Sequence, residues 1–376
     1  MSDRPAFVLL EDGALFPGTT PAPIRASFGE VVFTTNLTGY QEAFTDPSYL
    51  DQILVMTAPM IGNYGVTRDD MESDRPQVAG VVVRELSRHP SNWRATESLG
   101  AWLSEYGIPV VEGVDTRRLT RHIRERGAMR GVLAEGRAPT PDLSAALDAW
   151  PSMVGLDLAS RATVAQPWTE GQEGPHVVAF DFGIKRSIIR QLRARGCRVT
   201  VVPARTSPEE VRGFQPDGLF LSNGPGDPAA VGYALETIRT LTCSGLPTFG
   251  ICLGHQLLAL AFGGSTSKMP YGHRGGNHPV RDCRTTRVLI TTQNHGFTVV
   301  GNDREVAGAP ELEVSHVNLN DGTIEGLRHR VLPVFSVQYH PEAAPGPHDA
   351  YPHFGEFLDL IGAPPRARMP QPLDSQ

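Results

Sequence analysis

The run Gly250-Ile251-Cys252-Leu253-Gly254-His255-Gln256 constrains this chain more than any other, because it joins two opposed backbone habits with almost no loop between them. Leu246-Pro247-Thr248-Phe249 is short and apolar, the pattern of a buried strand ending at Gly250. Leu257-Leu258-Ala259-Leu260-Ala261-Phe262 reads as a helix starting just after Gly254. Cys252 is therefore expected on a sharp strand-to-helix turn with a glycine two residues away on each side. Glycine lets the backbone turn hard and keeps bulk away from the sulfur. The helix N-terminus offers unpaired N–H groups and a positive dipole end, which favour a thiolate and any oxyanion formed beside it. A lone buried cysteine is often no more than a small core residue. Core packing, however, asks for no flanking glycines.

The C-terminal half supplies the fold that such an elbow needs. His176 to Phe182, Arg198 to Val202 and Asp217 to Leu221 read as apolar strands. Ile184, Ile188, Ile189 and Leu192 mark one face of a helix, and Val231 to Leu241 has helical spacing. Apolar strands alternating with helices predict a parallel sheet covered on both faces. In such sheets the working residues gather at the carboxyl ends of the strands. The first 150 residues differ: Gly29 to Thr35 and Val78 to Val83 are β-rich, with helices near Ser98 to Tyr106 and Thr116 to Arg126. The expected organisation is α/β overall. An α+β, β-rich N-terminal domain spans residues 1–150, a linker 151–175, an α/β domain 176–363, and a tail 364–376 is expected to be poorly ordered.

A chain of 376 residues can hold two full cores. Its net charge of −7, with no basic block, argues against nucleic acid as a partner. No apolar run approaches membrane-spanning length. The start has no apolar h-region, and the four cysteines lack C-x-x-C spacing, which predicts reduced thiols in the cytoplasm. Lysine occurs only at 185 and 268, a bias from which the sequence alone suggests no function.

A nucleophilic cysteine needs a base, and the base needs an orienting partner. Of twelve histidines, His340 in Gln338-Tyr339-His340-Pro341-Glu342 is the best placed, since it follows a late apolar strand. Pro341 favours an extended chain before it, and residues two apart in an extended chain share a side, so Glu342 is expected to reach the imidazole. Ser222-Asn223-Gly224-Pro225-Gly226-Asp227-Pro228 also follows a strand. Gly224, Gly226 and Ala229 match a dinucleotide-binding spacing, but the two prolines do not suit a phosphate-cradling turn and the motif does not follow the first strand. The loop can present backbone N–H groups as an oxyanion hole; a rigid Pro/Gly turn would look the same. Gln293-Asn294-His295-Gly296-Phe297 offers an amide and a flexible backbone to a polar substrate. His273 and His278 have no carboxylate or cysteine at metal-ligand spacing, so no metal is expected. No glycine precedes a lysine, which excludes a P-loop and its ATP site.

Taken together, the elbow, the glycine loop and His-Pro-Glu resemble the class I glutamine amidotransferases. Phe180 to Arg186, Gly275-Gly276-Asn277-His278-Pro279, His340 to Asp349, and in the first half Phe33 to Glu42 and Thr45 to Tyr49 narrow the resemblance to the small-chain family of carbamoyl-phosphate synthases. The resemblance implies that Cys252 attacks the glutamine side-chain amide, giving a thioester and ammonia, with His340 as acid and base and Glu342 orienting it. It further implies an oxyanion hole from Gly224 and Leu253, and glutamine contacts from Ser48, Gly226, Gln256, Asn294, Gly296 and Phe297. Ammonia would pass through a tunnel to a large chain that uses ATP with Mg2+, for arginine and pyrimidine synthesis, and this chain would need no cofactor. Three alternatives remain open at this point: the glutaminase component of an anthranilate- or GMP-type amidotransferase, a hydrolase of the cysteine-peptidase or γ-glutamyl type, and a binding module that has lost catalysis.

Overall fold

A computed structural model describes residues 4–362 of the chain. The tail expected at 364–376 lies outside the described residues. The N-terminal half builds a seven-stranded mixed sheet from Arg4–Leu10 through Met129–Glu135. Strands Ser27–Thr34 and Gln52–Met56 run parallel at its centre, and both are buried on both faces. Helix Thr116–Arg126 covers one face. Asp115 caps it by accepting from the Arg118 N–H at 2.9 Å, and Leu119 and Ile123 turn inward.

The C-terminal half is built on a ten-stranded sheet. Its parallel centre is His176–Asp181, Arg198–Pro203, Gly218–Leu221, Thr248–Ile251 and Val334–Val337. Every residue of four of these strands is buried, as expected for a sheet covered on both faces. Antiparallel strands extend the sheet: Trp168–Glu170 on one edge and, on the other side, Thr266–Asp282, Val288–Val299, Leu312–Asn318 and Ile324–His329. Phe249 stacks on Phe335 at the centre, and Phe220 and Phe249 meet each other and, respectively, Phe357 and Phe354 of the last helix, Pro352–Leu360, edge to face.

Two expectations need revision. Residues 151–175 are not a bare linker: helix Ala159–Ala162 and strand Trp168–Glu170 lie there, and Met153 and Leu158 are buried in a cluster with Phe297. Val231 to Leu241 is not one helix either. A 3-10 segment Pro228–Ala234 precedes the helix Leu235–Cys243, with a kink at Val231. Among the described residues no helix is long and apolar enough to cross a membrane.

Candidate active site

Cys252 stands between strand Thr248–Ile251 and helix Leu253–Ala261, so the connection is a single residue. It carries the cost of the turn itself, with φ 54° and ψ −103°, a conformation strained for any residue with a Cβ. The flanking glycines therefore serve close approach and leave the bend to the cysteine. A Cβ on Gly254 would lie 2.2 Å from the Leu221 carbonyl oxygen of the next strand, and one on Gly250 would lie 2.9 Å from the Gly254 backbone. The Cys252 N–H donates to the Val337 carbonyl at 2.9 Å, and the Gly254 N–H to Ser222 at 3.0 Å. The Leu253 N–H heads the helix, where no intrahelical acceptor exists. Gly224 sits against the Leu253 side chain, since a Cβ there would lie 2.8 Å from Leu253 Cδ2.

His340 and Glu342 meet as expected: Nδ1 and Oε1 are 2.7 Å apart, and both side chains are buried. The geometric reason differs. Residues 340–343 form a turn closed by the Ala343 N–H to the His340 carbonyl at 3.2 Å, so proximity comes from a turn rather than from strand alternation. Burial works against charging His340, but the Glu342 carboxylate, with the Cys252 sulfur, outweighs it and pushes the imidazole up to about 10. His340 Nε2 has no completed hydrogen bond in the resting site, although the Cys252 sulfur beside it favours the imidazolium. Such bonds commonly tighten only around a bound substrate.

Lys185 is the residue that sequence reasoning left out. Its ammonium is 2% exposed and donates to Glu342 Oε1 at 2.8 Å and to the Ala344 carbonyl at 2.6 Å. Burial opposes its charge, yet Glu342, Glu72 and Asp46 hold its pKa above the ordinary value. In return, although burial would raise it, Lys185 and then His340 bring Glu342 down to about 2. The one signal available was scarcity: the chain has two lysines, and both stand at this site.

A single cavity is lined by Cys252 together with Ser48, Gly224, Gly226, Gln256, Asn294, Gly296 and Phe297. Of the residues predicted for the site, Leu253, His340 and Glu342 lie outside this lining, next to or behind the cysteine. The Cys252 thiol donates to the Asn294 carbonyl at 3.6 Å. Gln256 Nε2 donates to the Phe297 carbonyl at 2.9 Å and to Gln338 at 3.0 Å, leaving its Oε1 to offer a substrate. Ser48 comes from the N-terminal half on the short turn Pro47–Tyr49. Asn223 donates to its hydroxyl at 2.9 Å, and Asp46 accepts from the Ser48 N–H and from Asn294 Nδ2, each at 2.9 Å. The cavity thus closes only when both halves of the chain are in place.

The carboxylates missing from the His273–His278 spacing come from other segments. His273, His295 and Glu325 bring ligand-type atoms within 4.8 Å of one another. They are already bonded: His273 Nε2 to Asp321 at 2.8 Å, Glu325 to Asn318 at 2.8 Å and to Gln293 at 2.9 Å, and His295 to Gln293 at 2.9 Å and the Phe297 carbonyl at 2.8 Å. A hydrogen-bond network at strand Val288–Val299 accounts for them. Burial disfavours a charged His273, but Asp321 and Glu325 raise it to about 9.

Known proteins similar to this chain point to its family. Residues 178–360 match the family described as glutamine amidotransferase class-I, and residues 8–133 match the carbamoyl-phosphate synthase small chain, CPSase domain. The chain is 52% identical over 366 residues to the carbamoyl phosphate synthase small chain of Chlorobaculum tepidum, covering 96% of this chain and 99% of that one. It is 52% identical to the one of Symbiobacterium thermophilum, over 94% of this chain and 97% of that one. It is 48% identical to the pyrimidine-specific small chain of Lactiplantibacillus plantarum, over 95% and 96%. The N-terminal match decides against the glutaminase component of another amidotransferase. The chain belongs to the family of carbamoyl-phosphate synthase small chains, the glutamine-hydrolysing component of that enzyme, with a class I glutamine amidotransferase domain as its C-terminal half.

Proposed function

We propose that Cys252 hydrolyses L-glutamine through a thioester and that the ammonia is delivered to a large partner chain. The thiolate, paired with the His340 imidazolium, attacks the side-chain amide carbon, and the oxyanion is met by the N–H groups of Gly224 and Leu253. His340 gives its proton to the departing ammonia, leaving a γ-glutamyl thioester. Neutral His340 then takes a proton from water, which attacks the thioester and releases glutamate and the thiol. Glu342 keeps the imidazole oriented throughout, and Lys185 keeps Glu342 in place. Ser48, Gly226, Gln256, Asn294, Gly296 and Phe297 hold the rest of the substrate.

The observation that carries this reading is the strained Cys252 facing a cavity, backed by a buried His340–Glu342–Lys185 chain. A water-filled exit would protonate ammonia and end its nucleophilicity, so an enclosed passage to the large chain has a physical purpose. The chemistry that consumes it, with ATP and Mg2+, belongs on that large chain, in a cytoplasmic complex serving arginine and pyrimidine synthesis. Residues 1–150 act as the small-chain domain, 151–175 as its connection and 176–363 as the glutaminase. The test is Cys252→Ser in the complex of both chains. Glutamine-dependent carbamoyl phosphate synthesis is lost while synthesis from added ammonia continues; loss of both overturns the assignment.

A further inference from the structure

The cavity holds a cation that none of the steps above uses. Arg274 lies on strand Thr266–Asp282 and is 4% exposed, and it lines the same cavity as Cys252. Its Nη1 donates to the Tyr271 carbonyl at 2.7 Å, while its buried Nε has no hydrogen-bond partner. Among the described residues no carboxylate lies within ion-pair distance of it. The nearest acid of consequence, Glu30, is engaged elsewhere: Oε1 accepts from Lys268 at 2.6 Å and Oε2 from Gln52 at 2.9 Å. A buried charge left this way is costly unless something else neutralises it.

The position of the guanidinium says what that is. A Cβ on Gly296 would lie 3.3 Å from Arg274 Nη2 and 3.0 Å from Lys268 Nζ, so both cations converge on the glycine that borders the substrate space. Lys268 is paired with Glu30, whereas Arg274 has no ion-pair partner among the described residues, which leaves an unpaired guanidinium at this wall. Glutamine carries one group of matching charge and planar geometry, its α-carboxylate. A guanidinium fork pairs with a carboxylate better than an ammonium does.

We propose that Arg274 is a specificity residue that recognises the α-carboxylate of glutamine, with Lys268 locked to Glu30 as its neighbour. This rests on the glutaminase reading and deepens it. Gly296 is then a glycine because the carboxylate and two cations share the space where a side chain would stand. Burial lowers the Arg274 pKa, with Glu30, Tyr49 and Cys252 partly opposing it, which fits a cation awaiting an anion.

The test uses the complex of both chains and compares L-glutamine with 4-aminobutanamide, which keeps the amide and amine but lacks the carboxylate. In Arg274→Met, KM for glutamine rises about 10- to 150-fold, the range for losing one charge-assisted pair, with a smaller change in kcat. Hydrolysis of 4-aminobutanamide stays within about threefold of the unsubstituted complex, so discrimination collapses. Arg274→Lys restores part of the glutamine KM, and equal unfolding temperatures exclude a folding defect. If Arg274→Met destabilises the chain, the Lys variant decides, because loss of the fork with charge retained still raises KM. An unchanged KM, or an equal loss on both substrates, overturns the proposal. If the unsubstituted complex fails to hydrolyse glutamine at all, the glutaminase reading fails instead.

Discussion

In the proposed mechanism, the proton chemistry of the site rests on three buried side chains whose charges cannot be changed singly. His340 and Glu342 are both within 2% exposure, and Lys185 closes the chain from behind. Removing the Glu342 charge leaves the Lys185 ammonium buried without its anion and takes away the main support of the imidazolium. In Glu342→Gln, glutaminase kcat falls roughly 10- to 100-fold, a partial loss of the ~10²–10⁴-fold that a positioned acid–base group contributes. The sign of the pH effect follows from His340: its pKa is raised by the anion, so losing the anion lowers it. The alkaline limb of the kcat profile therefore moves to lower pH in the variant, and a limb that stays in place would show that Glu342 only fills space. Cysteine, histidine and glutamate were legible as a set in the sequence because the elbow and His-Pro-Glu are local patterns. Lys185 was not, since its role depends on a contact 157 residues away.

Among the elements, the elbow and the strand beside it are one unit. Gly254 was expected to supply flexibility, and the structure instead uses it to let helix Leu253–Ala261 touch the Leu221 carbonyl. Gly254→Ala puts a methyl group where backbone stands, and neither side can yield cheaply. We expect destabilisation of about 1–3 kcal/mol by overpacking and loss of most glutaminase activity as Leu253 and Gly224 move apart. A thermal unfolding scan and a glutaminase assay check it; full activity would show that the turn tolerates a shift. The positions of these strands and helices were readable from apolar runs, with ends displaced by one to three residues. The kink at Val231 and the strand in the expected linker were not. Trp168–Glu170 is exposed throughout, so it has no apolar pattern and owes its form to pairing with Arg198–Pro203.

Across the whole molecule, the substrate cavity is an interface between two halves. Asp46, buried on the N-terminal half, accepts from both Ser48 and Asn294. In Asp46→Ala, KM for glutamine rises about 10- to 100-fold, the loss of hydrogen bonds to a charged acceptor, with kcat less affected. An unchanged KM would show that the two halves hold the cavity without it. The network behind the cavity also ties stability to pH. Asp321, with side chain 38% exposed, is brought down to about 2, where His273 and Thr323 outweigh the cost of burial. Its contribution is present above the ordinary 3.8 and is lost as pH falls toward 2. His273 is raised, so its contribution is complete below 6.5 and is lost as pH rises through about 9. Asp321→Asn therefore lowers Tm most between about pH 4 and 6.5, by roughly 2–4 °C for a solvent-screened pair, and the difference shrinks toward pH 9 and above. A difference constant with pH would sink the charged pairing.

The sequence by itself determined the two-part architecture and singled out Cys252, His340 and Glu342 as the candidate nucleophile, base and orienting acid. Each of these is written in local order: an apolar run, a glycine spacing, a three-residue motif. Through family resemblance it also proposed substrate contacts on both halves, and those residues line one cavity. Only the tertiary structure decided that Cys252 bears the strain of its own turn, that Lys185 anchors Glu342, and that Arg274 stands uncompensated beside Gly296. These are properties of distance and burial between segments far apart in the chain. A buried charge shows its purpose only when the groups around it, and the ones missing, can be seen.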